Sequence, residues 1–310
     1  MKPASTLTSR RLLLQLAVSS AAGVCFSRLA SGSAVAAEAA SEATTREAVA
    51  RDGTKLFIQQ SGRGKPIVFL HGWSLNSDIW GEQFAALAPS FRCIGYDRRG
   101  HGRSGKPGTG YGYDTLSDDL ATVLDHLDLV GATVVAHSMA GGEIVRYLSR
   151  HGDRRVSRII LVAATLPRIL QAPDNPGGLP LAALDKLRAA LTADFSGYVR
   201  ANARSFFLPD TPQEVVDWGI GLSLQCDHAA AIACTHTYSE VDLTAEVSRL
   251  AVPTLILHGD RDALPVDLTS GRLSGLIRGS ALKIYAGAPH GLMITHKAAF
   301  NTDVADFARG

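Results

Sequence analysis

The chain has 310 residues, of which 46% are hydrophobic and 19% charged, with 31 Lys and Arg against 29 Asp and Glu. This composition is too apolar for a disordered segment, and four cysteines are too few for a disulfide scaffold. The net charge of +2 is not gathered into a basic stripe of the kind that nucleic-acid-binding proteins carry, so we expect no nucleic-acid partner.

Residues 1–36 have the pattern of a signal peptide. Arg10 and Arg11 precede an uncharged, apolar run over residues 12–27, and Ala34-Val35-Ala36 offers small residues for cleavage. The run is shorter than a membrane-spanning helix, so we expect no stable membrane anchor. The arginine pair resembles a twin-arginine signal, which predicts an exported protein, periplasmic or secreted; a chance pair of arginines is the alternative. Without this segment the chain would carry 27 basic against 29 acidic residues, so its excess of positive charge belongs to the segment.

Six short apolar runs in the rest of the chain have the length of buried strands. They are residues 66–70, 92–96, 133–136, 158–162, 254–257 and 282–285. Between the second and third runs, apolar residues at helical spacing follow Thr115 and Asp118, a capping pattern that predicts a helix starting at Thr115. Alternating strands and helices predict a parallel sheet with helices on both faces.

This alternation stops after residue 162. A Pro- and Gly-rich loop over 171–180 precedes a helical pattern over 181–195, and Thr211 with Pro212 and Glu214 predicts the N-terminus of another helix. We therefore predict that residues 165–252 form a helical cap inserted into a core made of residues 37–164 and 253–310. Three aromatic residues of the cap are candidates for the lining of an apolar pocket: Phe206, Phe207 and Trp218.

Ser138 is the candidate nucleophile. It follows the run 133–136, and a predicted helix over 143–151 comes next, so Ser138 occupies the apex of a strand-turn-helix. Such a turn strains the serine backbone, requires small residues two positions away on either side, and aims a helix N-terminus at the oxyanion. Those positions hold Ala136 and Ala140 instead of the usual Gly, and each adds a methyl group at a crowded place. Considered alone, the segment is also compatible with an ordinary helix start.

An acid and a histidine follow the last two predicted strands and complete the chain order Ser, Asp, His. His290 would take the proton of Ser138, and an aspartate, Asp262 or Asp260, would hold the imidazole and stabilise its cation. The backbone N–H groups of Met139 and Trp73 would bind the oxyanion. Four other histidines are interpreted as structural: His71, His101, His137 and His258.

The sequence contains no cofactor or metal motif in the structural context that such a motif requires. Gly100, Gly102 and Gly105 match a dinucleotide fingerprint, but a loop rather than a helix follows them. The ten histidines include no H-E-x-x-H motif and no paired Cys/His spacing. We therefore expect neither a cofactor nor a metal.

Four segments together resemble the cofactor-free haloperoxidase and arylesterase branch of the α/β-hydrolase superfamily. They are residues 96–104, 137–143, 252–262 and 287–292, and the resemblance runs from about Gly53 to Phe307. It implies the α/β-hydrolase fold, a mostly parallel, doubly wound sheet with a small helical cap inserted after the sixth strand. It also implies a triad of Ser138, Asp262 and His290, because the family acid stands last in H-G-x-x-D.

The resemblance implies a serine esterase that acts on small carboxylic esters, aryl esters among them, through an acyl-enzyme. Many proteins of this branch also form peracids from carboxylic acids and hydrogen peroxide. Relatives often carry Pro or Leu at the position of Ser74, so the preference between water and peroxide stays open. Alternatives are the same triad used for lactone hydrolysis or carbon–carbon lysis, and a non-catalytic ligand-binding protein. The sequence also leaves open whether the chain forms a homo-oligomer.

Overall fold

The computed structural model describes residues 43–310, in which eight strands form one sheet of order β1-β2-β4-β3-β5-β6-β7-β8. The strands are β1 (Thr44–Val49), β2 (Lys55–Ser61), β3 (Pro66–Leu70), β4 (Arg92–Tyr96), β5 (Ala132–His137), β6 (Val156–Val162), β7 (Thr254–Gly259) and β8 (Ala281–Tyr285). The signal segment and its cleavage pattern lie outside the described residues.

The six predicted apolar runs correspond to β3 to β8, which pair in parallel. β1 and β2 precede them and pair antiparallel, β2 against β4 at one side of the sheet. Every residue of β5 is buried, as expected for a parallel strand that is covered on both faces. In β2 only Leu56 and Ile58 are fully buried, and the apolar run from Leu56 to Ile58 is followed at once by Gln59, Gln60 and Ser61, so this strand is not apolar along its length.

Helices cover both faces of the sheet, as the sequence predicts. In chain order they are α1 (Gly81–Leu87), α2 (Tyr113–His126), α3 (Ala140–His151), α4 (Leu181–Ala193), α5 (Phe195–Asn202), α6 (Gln213–Ser223), α7 (His228–Glu240), α8 (Thr244–Val247), α9 (Ser270–Leu276), α10 (Leu292–Thr295) and α11 (Lys297–Arg309). Val134 of β5 packs in the cluster that contains α2 and α3, and its neighbour Val135 packs in the opposite cluster with α1 and α11. This alternation divides the apolar core into two layers, one on each face of the sheet.

Two predicted helix starts are wrong. α2 begins at Tyr113, with Gly112 as its N-cap and no side-chain cap, two residues before Thr115. The ring of Tyr113 lies against Gly142 and its hydroxyl donates to the Met139 carbonyl (2.9 Å), so tertiary contacts hold this first turn in place of a capping side chain. α6 begins at Gln213, because the Thr211 hydroxyl accepts from the amide of Leu208 instead of capping the helix.

Between β6 and β7 the chain forms α4 to α8, which lie outside the sheet. The predicted helix over 181–195 corresponds to α4, which ends at Ala193, because Asp194 interrupts it and caps the next helix, α5, through Gly197 N–H (2.8 Å). Contacts to core loops hold these helices in place: the Trp73 indole donates to Ala231 of α7 (2.8 Å). The cap boundaries at 165 and 252 stay predictions. Within residues 43–310, no helix combines the length and the apolar character needed to cross a bilayer.

Candidate active site

Ser138 occupies a tight turn between β5 and α3. Its φ of 56° lies in the left-handed region, which costs a non-glycine residue about 1–3 kcal/mol. Three backbone hydrogen bonds hold it there: Ser138 N–H donates to Val162 (2.8 Å), and the Ser138 carbonyl accepts from Gly141 (3.0 Å) and Thr165 (3.2 Å). The turn therefore presents Ser138 at the carboxyl end of the sheet with a fixed backbone.

The two glycines in the first turn of α3, Gly141 and Gly142, are closely packed. A Cβ on Gly141 would lie 2.7 Å from the Ala164 Cβ, and a Cβ on Gly142 would overlap the Tyr113 ring. Ala136 and Ala140, where the sequence pattern places the crowding, are fully buried in the core, and their methyl groups are accommodated. The alanines are thus compatible with the strained turn.

His290 bridges Ser138 and Asp262. Its Nε2 lies 3.0 Å from the Ser138 Oγ, and its Nδ1 lies 2.7 Å from the Asp262 Oδ2. The other Asp262 oxygen accepts from Leu264 N–H (2.8 Å). Burial alone would raise the pKa of Asp262, but the adjacent His290 and the hydrogen bonds lower it below its ordinary value, so the carboxylate is ionised at neutral pH.

Asp260 has different contacts from Asp262. Its side chain is exposed and its Oδ1 accepts from Gly287 N–H (2.7 Å), which holds the loop that carries His290. Of the two aspartates, the structure puts Asp262 against the His290 ring. His258 also lies next to Asp262, with its Nε2 3.5 Å from the same Oδ2, and burial lowers its pKa.

The amides of Trp73 and Met139 flank the Ser138 turn. Trp73 follows β3 and Met139 precedes α3, and among residues 43–310 neither amide donates to a protein acceptor. Ser74, beside Trp73, has a φ of 58° and contributes to the lining of the cavity next to Ser138. The structure therefore brings both predicted oxyanion donors to the loops around Ser138.

A cavity of about 320 Å³ lies over Ser138 and His290. Its apolar lining comes mainly from the cap and includes Ile169, Leu184, Val199, Phe206, Phe207 and Ile220. The Phe206 ring packs edge-on against His290, at 5.8 Å between centroids, and the Phe206 carbonyl accepts from Gly291 N–H (2.8 Å). Trp218, the third aromatic candidate, is 38% exposed and lines a separate surface groove.

A buried polar network behind the site has no counterpart in the sequence predictions. The Arg98 Nε lies 2.8 Å from the Glu143 Oε2, with both side chains at most 1% exposed, and the Tyr96 hydroxyl donates to the same carboxylate. Burial disfavours the charged guanidinium, but Glu143 raises the pKa of Arg98 above its ordinary value, so the ion pair persists. An arginine two residues after a buried strand, β4, was the available signal. Within residues 43–310, no group of three or more His, Cys, Asp or Glu side chains is arranged to hold a metal ion.

The family comparison agrees with this architecture. The model of the family described as alpha/beta hydrolase fold matches residues 65–297, which include every site residue named above. The chain therefore belongs to the α/β-hydrolase fold family.

Similar proteins indicate to which branch of the family the chain belongs. A non-heme chloroperoxidase of Kitasatospora aureofaciens is 35% identical over 268 residues, which cover 83% of this chain and 97% of the relative. A bifunctional esterase/perhydrolase of Acinetobacter calcoaceticus is 32% identical over 269 residues, covering 84% and 98%. The solved structure of an esterase from Exiguobacterium antarcticum superposes with a TM-score of 0.84 at 29% identity, covering 86% of this chain and all of that one. Within the family the chain is a hydrolase of the cofactor-free haloperoxidase branch, as its sequence motifs predict.

Proposed function

We propose that the chain is a serine hydrolase that cleaves small carboxylic esters, aryl esters among them, through Ser138, His290 and Asp262. The observation that carries this proposal is the His290 ring, which reaches the Ser138 Oγ with one nitrogen and the Asp262 carboxylate with the other. Ser138 is also strained, backbone-fixed and open to an apolar cavity, the arrangement that a nucleophile attacking an acyl group needs.

The chemistry follows from this geometry. Ser138 Oγ attacks the ester carbonyl while His290 Nε2 accepts its proton, and Asp262 stabilises the resulting imidazolium. The Trp73 and Met139 amides stabilise the oxyanion of the tetrahedral intermediate. Collapse expels the alcohol, which takes the proton from His290 and leaves an acyl group on Ser138. Water, deprotonated by His290, then releases the acid and restores the serine.

Two features limit the range of substrates that we propose. The cap lines the cavity with Leu, Ile, Val and Phe side chains, which favours esters whose acyl or alcohol part is an apolar chain or ring. The similarity to the Acinetobacter esterase/perhydrolase supports peracid formation as a side activity, in which hydrogen peroxide replaces water as the acyl acceptor. Attack of peroxide on the acyl-enzyme releases a peracid and the free serine, so both activities require the same Ser138.

Ser138→Ala tests the proposal. We expect it to lower kcat for phenyl acetate by several orders of magnitude and to abolish peracid formation from acetate and peroxide, because both pass through the Ser138 ester. A fluorophosphonate should label the wild type once and the variant not at all. Ser248→Ala, which removes an exposed hydroxyl of the cap region, is the control and should behave as wild type. Retained turnover in Ser138→Ala, or a wild type that is not labelled, would contradict the proposal.

A further inference from the structure

Two tyrosines of the cap, Tyr198 on α5 and Tyr238 on α7, line the cavity over Ser138. Among residues 43–310, neither phenol hydroxyl has a hydrogen-bond partner. Of the seven tyrosines in the chain, four donate to a backbone carbonyl or a carboxylate: Tyr96, Tyr111, Tyr113 and Tyr285. Because polar groups inside proteins are normally paired, the two cavity hydroxyl groups are candidates for contact with a ligand.

The polar neighbours of Tyr238 on α7 show that this exception is local. Thr235, Thr237 and Ser239 are each at most 7% exposed. Each donates its hydroxyl to a backbone carbonyl, at 2.7, 2.8 and 2.5 Å respectively. The protein thus satisfies the buried hydroxyl groups of this helix, except at the position that lines the cavity.

Both phenols stay neutral and remain hydrogen-bond donors. Burial raises the pKa of Tyr198 and that of Tyr238 above the ordinary value for tyrosine. The negative charge that an ionised Tyr198 would carry raises the pKa of Tyr238 further, which means that the two hydroxyl groups lie near each other. The cap therefore presents a pair of neighbouring O–H donors within a mainly apolar lining.

The cavity provides no cation that could pair with an anionic ligand. Among residues 43–310, the side chains that line it include no Lys or Arg, and the Asp262 carboxylate is negative. The charge of Arg188 acts on Tyr238, but this guanidinium is bound to Asp185 (3.0 Å) and Glu240 (2.7 Å). A carboxylate would lose its hydration here without gaining a counter-ion, whereas a neutral oxygen needs only the two phenol donors.

We propose that Tyr198 and Tyr238 form a polar subsite in the cap, which binds a neutral oxygen atom of the substrate away from the scissile ester group. Substrates of this class are esters with a ketone, ether or hydroxyl oxygen in the acyl or the alcohol chain. The inference rests on the proposed function, because it takes the ligand to be an ester that Ser138 attacks. The hydrogen bonds form in the bound substrate and persist in the transition state, so they lower KM and leave kcat nearly unchanged.

Two pairs of esters with matched shapes measure the subsite. Phenyl 4-oxopentanoate carries an oxygen where phenyl 4-methylpentanoate carries a methyl group, and 4-oxopentyl acetate and 4-methylpentyl acetate place the same difference in the alcohol. The measured quantity is the ratio of kcat/KM for the oxo ester to kcat/KM for the methyl ester. In at least one pair, Tyr198→Phe and Tyr238→Phe should each lower this ratio about threefold to tenfold through KM, and the double variant should lower it further. The kcat/KM of the methyl ester should stay equal or rise, because Phe has no hydroxyl to be stripped of water.

Tyr147→Phe is the matched control. The Tyr147 hydroxyl also has no partner within residues 43–310, but its ring stacks on His151 and it does not line the cavity. This variant should keep the wild-type ratio in both pairs. Calorimetric binding of the four corresponding amides to Ser138→Ala protein gives a readout without turnover, and the affinity ratios should fall in the same variants by the same factors.

Unchanged ratios in both pairs after the double substitution would overturn the inference, and so would an equal loss for both members of each pair. If the variants do not fold, wild-type amide affinities decide: weaker binding of both oxo amides than of their methyl partners contradicts the subsite, because an unassisted ketone in an apolar cavity only loses hydration. A wild type without Ser138-dependent hydrolysis of any of the four esters defeats the proposed function, while amide binding still tests the subsite. An active wild type whose ratios do not depend on either tyrosine defeats only this inference.

Discussion

Asp262→Asn gives the sharpest test of the proposed triad, because the structure predicts how an amide must sit there. Leu264 N–H donates to Asp262 Oδ1, so the Asn oxygen has to take that position and its NH₂ group faces His290. His290 would then carry its proton on Nε2 and present that proton to Ser138 Oγ. In this tautomer the imidazole cannot accept the proton of the serine.

The magnitude follows from the lost charge. At the observed 2.7 Å between Asp262 Oδ2 and His290 Nδ1, two unit charges attract by about 6 kcal/mol at an effective dielectric constant of about 20. Relaxation of the site around the imidazolium offsets part of this lost attraction, which leaves a barrier increase of about 4–5 kcal/mol, or about 10³–10⁴ in kcat. KM should change little, because the imidazolium forms only after binding.

The assay is steady-state hydrolysis of phenyl acetate near neutral pH, with Asp260→Asn as the matched control. An Asn oxygen at 260 can still accept from Gly287 N–H, so the control should stay within about threefold of wild type. If Asp260→Asn loses activity while Asp262→Asn keeps it within a factor of ten, the assignment of the acid is refuted. Equal losses in both variants would show that the loop, not the charge, controls the rate.

Two further predictions concern stability. Burial lowers the pKa values of four histidines: His71, His101, His137 and His258. The unfolded chain therefore binds more protons than the folded one below pH 6.5, and stability should fall by about 1.4 kcal/mol per pH unit for each histidine, down to about pH 3 for His101. Urea unfolding between pH 7 and 5 checks this, and a flat profile contradicts it. Gly142→Ala should destabilise the protein by about 1–3 kcal/mol and lower kcat, because its methyl group displaces the Tyr113 ring that holds Met139. Gly81→Ala, which meets open space on α1, is the control for thermal melting, and equal melting temperatures would show that the packing at Gly142 is not tight.

The parallel part of the fold was predictable from the sequence, because a strand that is buried on both faces is a nearly continuous run of apolar residues. Strands β3 to β8 are short, nearly continuous apolar runs, and between amphipathic helices such runs are typical of buried parallel strands. β1 and β2 lack that signal, since they pair antiparallel at one side of the sheet and bury alternate residues such as Leu56 and Ile58. Helix starts failed for a related reason. At Tyr113 a tertiary contact replaces the cap that sequence patterns detect.

The side chains of the proposed triad and the amides of Trp73 and Met139 were predictable from the sequence, whereas the hydrogen-bond partners of the buried histidines were not. Ser138 stands directly after β5, and Asp262 and His290 lie in the loops that follow β7 and β8, in an order that one reaction explains, so type and position together point to them. His71 was interpreted as an ordinary core histidine, and by burial and hydrogen bonding it is one.

What distinguishes His71 is the identity of its acceptor. Its partner is the Gly72 carbonyl, and a motif contains no information about which carbonyl a ring will find. Arg98 and Glu143, 45 positions apart in the chain, are connected to that ring only once β4 and α3 have packed together. Sequence motifs can therefore identify the candidate reacting groups, but the orientation of the backbone N–H and C=O groups around them depends on tertiary packing. In related sequences, buried histidines that follow a strand are therefore the residues whose hydrogen-bond partners should be examined first.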